Sequence, residues 1–380
     1  MTIALSLVIA VVLIALIFEY INGFHDTANS IATVVATKVL SPTQAVMMAA
    51  GMNLIGALAG TAVAKTIASG LVDTSVVSVT SEVLICALVG GIVWNLVTWW
   101  QGLPSSSSHA LIGGLCGAAL GASDGNWSAI IWSLPADPWY KGAGVLWKVV
   151  VPMVLSPLGG FLLGMVIMGS LFALISFLSN RRGILHTIAK PRWVNGFFGK
   201  AQIASAAWMG YAHGLNDAQK TMGIIALALF GATAAGQLDD LPAWLSFLYT
   251  PVGADGKSPD IAMWIKVTCA LVMAAGTAAG GWRIIKTLGH KMVKLHPIHG
   301  FGAETASATM ISLASAYGIP VSTTHNISAA IMGVGAAKRL NSIKWTVVEK
   351  MIWAWLLTIP ATGLIAYFLV RTFKSFGLMA

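Results

Sequence analysis

The sequence predicts an all-α membrane protein: a polytopic helical bundle of two inverted repeats with broken or re-entrant helices. Three observations predict it. Hydrophobic residues fill 57% of 380 positions and charged residues only 9%, where a soluble domain carries about 25% charge; mean hydropathy is +0.81. Apolar runs of about 20 residues, the length that spans a bilayer, recur along the chain. Two kinds of polar interruption occur once in each half, in the same order. So little charge cannot cover a water-facing surface, and strict period-two alternation is too scarce for a β-barrel.

Taken in order, uninterrupted spans are expected at 2–21, 43–64, 82–100, 145–179, 262–282 and 347–370. Interrupted ones are expected at 23–40, 102–122, 201–235 and 300–337, giving roughly ten to twelve helical segments. The first run lacks the basic start and small-residue cleavage pattern of a signal peptide and continues into Glu19 and Asp26. Cys86, Cys116 and Cys269 all lie in apolar runs, which suits packing better than disulfides, and no metal-ligand spacing is present.

The formal charge of +9 is distributed as topology rather than as a nucleic-acid surface. Arg181, Arg182, Lys190, Arg192 and Lys200 cluster in one expected loop, and Arg283, Lys286, Lys291 and Lys294 in another. The positive-inside rule puts both in the cytoplasm. The stretch 236–260, with Asp239, Asp240, Asp255 and Asp260 against Lys257, and the base-poor stretch 123–141 are expected outside. Residues 1–122 then form a first transmembrane repeat, 123–200 the connecting helices and basic cytoplasmic loop, and 201–380 a second, inverted repeat. Lys338, Arg339, Lys344 and Lys350 before the last span place the C-terminal tail outside, against which Arg371 and Lys374 weigh mildly. Trp99, Trp100, Trp127, Trp132, Trp139 and Trp147 gather near segment ends, as interfacial aromatics do. Gly113-Gly114, Gly276 to Gly281 and Ala329-Ala330 allow close helix packing.

The interruptions divide by charge. Gly23-Phe24-His25-Asp26 is echoed by Gly214-Leu215-Asn216-Asp217. An ionisable residue within a span is a functional candidate by default. Glycine upstream is expected to let the backbone unwind and free carbonyls. Asp26 with Asn29, and Asp217 with Asn216 and Gln219, then offer the oxygen ligands that hard cations prefer. One such carboxylate would be explained as a helix cap; two in matching positions favour a cation or proton site.

The second pair is Pro104-Ser105-Ser106-Ser107-Ser108-His109 and Pro320-Val321-Ser322-Thr323-Thr324-His325. Proline suits a helix's first turn, and helix N-termini attract anions. Ser105, Ser106, Ser107, Ser108, Ser322, Thr323 and Thr324 would add hydroxyls that replace the hydration of a tetrahedral oxyanion. His25, His109 and His325 are candidate proton-linked or hydroxyl-orienting groups. Glu304 could pair with a cation or a basic group, and Lys220 with Asp217 or with the anion; the sequence leaves both open. Paired interruptions in two repeats point to a transport site.

At these residues the chain resembles the inorganic phosphate transporter (PiT) family, whose hallmark is a duplicated Gly-x-Asn-Asp-x-Ala-Asn signature. The two copies here are Gly23 to Ser30 and Gly214 to Thr221; the Pro-x-Ser-(Ser/Thr)-(Ser/Thr)-His segments and Gly300-Phe301-Gly302-Ala303-Glu304 are also similar. The resemblance spans nearly the whole chain. It implies a phosphate site between two inverted repeats and symport with sodium or protons, with no organic cofactor and no enzymatic reaction. Some bacterial members carry metal-phosphate complexes and some relatives take sulfate. His25 stands where many members have Asn, which leaves the coupling ion open. Gln219-Lys220 replaces Ala-Asn in the second copy, so the two cation sites are expected to differ. The short stretch 180–200 lacks the large insert of animal members, which suggests a bacterial or archaeal plasma (inner) membrane. The expected partners are inorganic phosphate, the lipid bilayer and a second copy of the chain. A sulfate or other oxyanion permease is the nearest alternative; an intramembrane hydrolase using a serine beside His109 or His325, or a passive channel, are remoter ones.

Overall fold

In the computed structural model, residues 3–69, 71–138, 142–250 and 260–379 are described. Trp139, Asp255 and Lys257 lie outside them. Helices dominate, and among the described residues β-structure is limited to two isolated bridges, Val72 with Ile130 and Leu134 with Ala143. The first half runs α1 (Ile3–Ala36), α2 (Pro42–Leu58), α3 (Ala62–Ser69), α4 (Ser81–Gln101), α5 (Ser107–Ala122) and α6 (Val151–Ser179), the last entered through a π-helical turn, Leu146–Val150. A short α7 (Ile184–Ile188) leads to the second half: α8 (Pro191–Ala234), α9 (Met263–Ala279), α10 (Trp282–Lys286) with a π-turn Thr287–Lys291, α11 (Pro297–Ala316), α12 (Thr323–Lys338) and α13 (Trp345–Ser375). Four of these segments, Ile3–Ala36, Ser81–Gln101, Leu146–Ser179 and Trp345–Ser375, are long and apolar enough to cross a membrane alone; the bent pairs α2–α3 and α9–α10 bring the number to six.

The main contacts between the long helices come in matching pairs, most of them joining an element of α1–α6 to one of α8–α13. α1 packs on α9 while α8 packs on α2; α5 packs on α13 while α12 packs on α6; α4 meets α5 as α11 meets α12. The last long helix of each half therefore closes over the other half, which makes one interlocked body.

The first pair of interruptions does not break the helix. α1 and α8 run unbroken through Gly23-Asp26 and Gly214-Asp217, so no carbonyls are freed there. The glycines serve close approach instead. A Cβ on Gly23 would lie 2.5 Å from the Met273 carbonyl oxygen, and one on Gly276 2.2 Å from that of Tyr20. The mirror crossing has Gly214 at 2.2 Å from the Asn53 oxygen and Gly56 at 2.1 Å from the Tyr211 oxygen. Helices in lipid associate through such backbone contact, since burying apolar groups gains little there. Gly113 and Gly114 likewise meet Thr362 Oγ1 and the Ala87 oxygen at 2.2 and 2.3 Å.

The real breaks lie elsewhere. α2 and α3 are bent by 69° and α9 and α10 by 58°, so the Gly276 to Gly281 run supplies a packing glycine at one end and a bend at the other. α4 ends at Gly102 with φ +66, and Gly318 after α11 has φ +64. Both are left-handed positions that glycine adopts without a Cβ clash. Pro104 and Pro320 do not open helices: each lies two residues before an N-cap, Ser106 or Ser322. Each proline disfavours helical backbone at the residue before it, Leu103 or Ile319, which keeps the preceding helix from running on.

The basic stretches are more helical than their charge suggests. Arg192 and Lys200 belong to α8, Arg283 and Lys286 to α10, and Lys291 to its π-turn. Arg283 donates to the Trp100 carbonyl at 2.6 Å and lies 5.1 and 4.9 Å from the Trp99 and Trp100 ring centroids. At the far end, Arg371 and Lys374 both reach Asp124, and Lys374 also donates to the Ala122 oxygen at 2.7 Å. The end of α13 thus shares a face with the segment following α5, the face expected outside. Asp124 is the partner of both basic side chains. All three cysteines are free.

Candidate functional site

The polar centre forms where α1 and α8 cross beneath the starts of α5 and α12. It is sealed: Asp26 is 2%, Asp217 0% and Lys220 3% exposed. Buried carboxylates this far from water must be bonded or neutralised, and each is. Ser107, the first residue of α5, donates to Asp26 Oδ2 at 2.6 Å, and Thr323, the first of α12, donates to Asp217 Oδ2 at 2.8 Å. One half's helix start thus serves its own half's carboxylate, twice over. The two halves also interlock, since Thr324 of α12 donates to Asp26 Oδ1 at 3.2 Å.

Three residues after each aspartate stands a donor to the opposite helix start. Asn29 Nδ2 donates to Thr323 Oγ1 at 3.1 Å and Thr324 Oγ1 at 2.9 Å. Lys220 Nζ donates to Ser108 Oγ, to Asp217 Oδ1 and, at 3.0 Å, to the Val321 oxygen. Lys220 is thus paired with Asp217 in this structure.

Each carboxylate also holds a histidine, by different routes. His25 Nδ1 lies 2.7 Å from Asp26 Oδ1, and its Nε2 lies 3.1 Å from Thr98 Oγ1, which accepts from Ser105 at 2.8 Å. Asp217 is reached by His213 Nε2 at 2.9 Å, whose Nδ1 is 3.1 Å from Asn53 Oδ1; Asn53 in turn donates to Thr277 Oγ1 at 2.8 Å. Ligand atoms of Asp26, His213 and Asp217, one from each, lie within 4.8 Å of one another. Two carboxylates and an imidazole that close make a constellation able to hold a cation. It is tertiary: linear spacing showed no ligand set because the residues come from both halves.

The remaining candidates take distinct places. Ser106 and Ser322 are N-caps that accept from the His109 and His325 amides at 3.2 and 3.1 Å. The two imidazoles meet edge to face at 4.8 Å, and His325 stacks on Trp355 at 4.1 Å. Asn216 points away, donating to Ser315 Oγ at 2.9 Å and the Ile319 oxygen at 3.4 Å. Gln219 caps the start of α3, accepting from the Val63 and Ala64 amides at 2.8 and 3.3 Å. Glu304 belongs to a separate group in which Thr33, Gln202 and Ser205 all donate to it. Gly300 makes room for that group, because a Cβ there would lie 1.9 Å from Gln202 Nε2. The Ser108 hydroxyl donates to the Val321 oxygen at 3.4 Å and accepts from Lys220, not engaging His109. A hydrolase needs that Ser–His bond.

His213, Asn53, Thr98, Thr277 and Gln202 escaped the sequence reading. His213 alone carried a signal: it precedes Asp217 by four residues, one helical turn on the same face. Asn53, Thr98 and Thr277 reach the centre from α2, α4 and α9, and Gln202 serves the separate Glu304 group.

Fold and centre together define a polytopic helical membrane protein of the transporter class, with paired carboxylates and helix N-termini sealed at the contact of two halves. Residues 22–366 match the phosphate transporter family, and the chain belongs to it. The chain is 40% identical over 374 residues to a probable low-affinity inorganic phosphate transporter of Bacillus subtilis (strain 168), covering 98% of this chain and 99% of that one. It is 42% identical over 366 residues to a protein of the same description from Rhizobium meliloti (strain 1021), covering 96% of each. A solved structure, described as the sodium-dependent phosphate transporter, superposes with a TM-score of 0.76 at 22% identity, covering 97% of this chain and 99% of that one; it shows the same fold. This is a family of transporters rather than of enzymes.

Proposed function

We propose that this protein is a secondary active transporter that imports inorganic phosphate by cation symport, through alternating access between two inverted repeats. The repeats would run from α1 to α6 and from α8 to α13, which carries the first beyond residue 122 because α6 is the counterpart of α13. The observation that carries this reading is the mirrored bonding of Ser107 to Asp26 and of Thr323 to Asp217.

In the sealed centre the hydroxyls at the helix starts are turned onto carboxylates. A cation arriving at the carboxylate releases those hydroxyls, which then face the oxyanion together with the α5 and α12 amides. Helix N-termini bind anions through such amides, and hydroxyls hold a tetrahedral oxyanion without gripping it too tightly to release. Cation and phosphate thus depend on one another, which is coupling in the thermodynamic sense. Asp26, Asn29 and Asp217 are the cation-side residues in this reading, and Ser107, Ser108, Thr323 and Thr324 the phosphate-side ones. Ser106 and Ser322 fix the helix starts, His25 and His213 orient the carboxylates, and Gln219, Asn216 and Glu304 act outside the centre. The coupling ion is sodium, by analogy with the sodium-dependent transporter that shares the fold, and the location is a bacterial plasma membrane, as the relatives' organisms suggest.

Radiolabelled phosphate uptake into proteoliposomes under separate sodium and proton gradients tests this. A sodium gradient should drive concentrative uptake that Asp26→Asn and Asp217→Asn each remove, although both variants still insert. Normal cation-driven uptake by both variants, or equal competition by sulfate, would sink the reading.

A further inference from the structure

The two carboxylates occupy matching places, yet only one has a fixed counter-charge. Asp217 is bonded to an ammonium, Lys220, three residues on in α8; Asp26 has at the matching place in α1 an uncharged amide, Asn29. The two side chains do equivalent work toward the opposite helix start, Lys220 on Ser108 and Asn29 on Thr324. Ser108 and Thr324 each immediately precede the histidine of their segment. The ammonium has three N–H bonds and three oxygen acceptors, in Asp217, Ser108 and Val321. A carboxylate, a hydroxyl and a carbonyl are also the oxygen set that a desolvated hard cation takes.

The Asp26 side has the same kinds of oxygen without the charge. Its carboxylate is surrounded by Ser107, Thr324 and His25. Asn29 Oδ1, on the same helix three residues on and buried, finds no hydrogen-bond partner among the described residues. A bound ion is one of the partners that satisfy an orphaned buried acceptor. Two carboxylates with ligand atoms within 4.8 Å of one another repel when both are ionised, and Lys220 supplies one fixed positive charge, beside Asp217.

We propose that Lys220 is a tethered cation: its ammonium permanently fills, beside Asp217, the position that a mobile coupling cation fills beside Asp26. One mobile cation, held by Asp26, Ser107, Thr324 and Asn29 Oδ1, therefore accompanies each phosphate. This rests on the symport reading above. A carrier with Asn at both places would take one cation more.

The test counts cations in proteoliposomes. The wild-type protein should show a Hill coefficient near one for the coupling cation and one cation per phosphate from reversal potentials; two or more per phosphate overturns the inference. Lys220→Asn should keep phosphate uptake but raise both numbers by about one, with a higher cation requirement. The reciprocal Asn29→Lys should bind phosphate with no cation present. A folded Lys220→Asn that stays inactive at every cation concentration, or that keeps the wild-type count, overturns it. If Lys220→Asn does not fold, unchanged cation dependence of phosphate binding by Asn29→Lys overturns it, and the wild-type count stands by itself. Uptake by the wild-type protein that no cation gradient drives defeats the symport reading itself, an outcome distinct from a wrong count.

Discussion

Asp26 and Asp217 stand at matching points of two crossing helices, yet their surroundings differ in kind. Asp26 is held by two hydroxyls and the histidine beside it, whereas Asp217 is held by one hydroxyl, a lysine and a histidine one turn away. The packing is paired down to the glycine crossings and the N-caps. Charge is not paired in this way. A repeated scaffold needs both halves to pack alike, because each is the other's packing surface. The centre needs only a workable total charge, so the two halves are free to supply it unequally.

The sharpest way to break this comparison is to neutralise each carboxylate in turn. Asp217→Asn leaves Lys220 buried without its counter-ion, a change that costs about 3–5 kcal/mol. Asp26→Asn strands no fixed charge and should cost less, about 1.5–3 kcal/mol, the scale of weakening its bonds to Ser107, Thr324 and His25. Thermal unfolding in detergent should separate the two, and equal losses would mean that Lys220 does not neutralise Asp217. Removing the donors instead probes the part that is symmetric. Ser107→Ala and Thr323→Val each delete a hydrogen bond to a carboxylate, worth about 1.5–3 kcal/mol. Each should shift half-saturation for phosphate by roughly tenfold or more, the two agreeing within a few-fold.

The helix crossings sharpen the same point from the packing side. Gly23→Ala and Gly214→Ala should each destabilise by about 1–3 kcal/mol through overpacking, again nearly equally, as read by the unfolding midpoint. The smallest expected effect lies away from the centre, at a contact with no mirror image. The Asp124 carboxyl is held below its ordinary value first by the hydrogen bond from Lys374 and by its charge, then by Arg371. A lowered folded-state value means stabilisation present above the ordinary carboxylate pKa of about 3.9 and lost as pH falls through the folded value. Asp124 is exposed, so the effect is slight. Asp124→Asn should lower the unfolding midpoint a little at pH 7 and by progressively less as pH falls below the ordinary carboxylate value; a difference that does not shrink in acid would assign the contact to packing.

Much of this was legible beforehand. Three of the six spans expected to be uninterrupted hold, as 145–179 does, whose apolar length specifies a helix that the structure places at Leu146–Ser179. The runs 43–64 and 262–282 are bent by 69° and 58°, and 2–21 continues through Asp26 as one helix. The paired Ser/Thr segments became paired helix starts for the same local reason, with Ser106 and Ser322 as caps. What misled was glycine. Gly23 and Gly214 permit either an unwound backbone or a close crossing, and only the partner helix decides between them. Gln219 illustrates the converse: its position in the signature suggested a cation ligand, but the neighbouring start of α3 takes its oxygen.

By itself the sequence determined the membrane class, the helical content, the family and the duplication, since apolar length and repeated motifs are local properties of the chain. It also singled out Asp26, Asp217 and the hydroxyls near them. Only the tertiary structure decided what these groups do to one another. The crossing of α1 and α8 puts the carboxylates close together, and the packing of α2 on α8 sets Asn53 against the His213 that bonds Asp217. Contacts between residues about 100 to 300 positions apart depend on how whole helices pack, and no linear spacing encodes that distance.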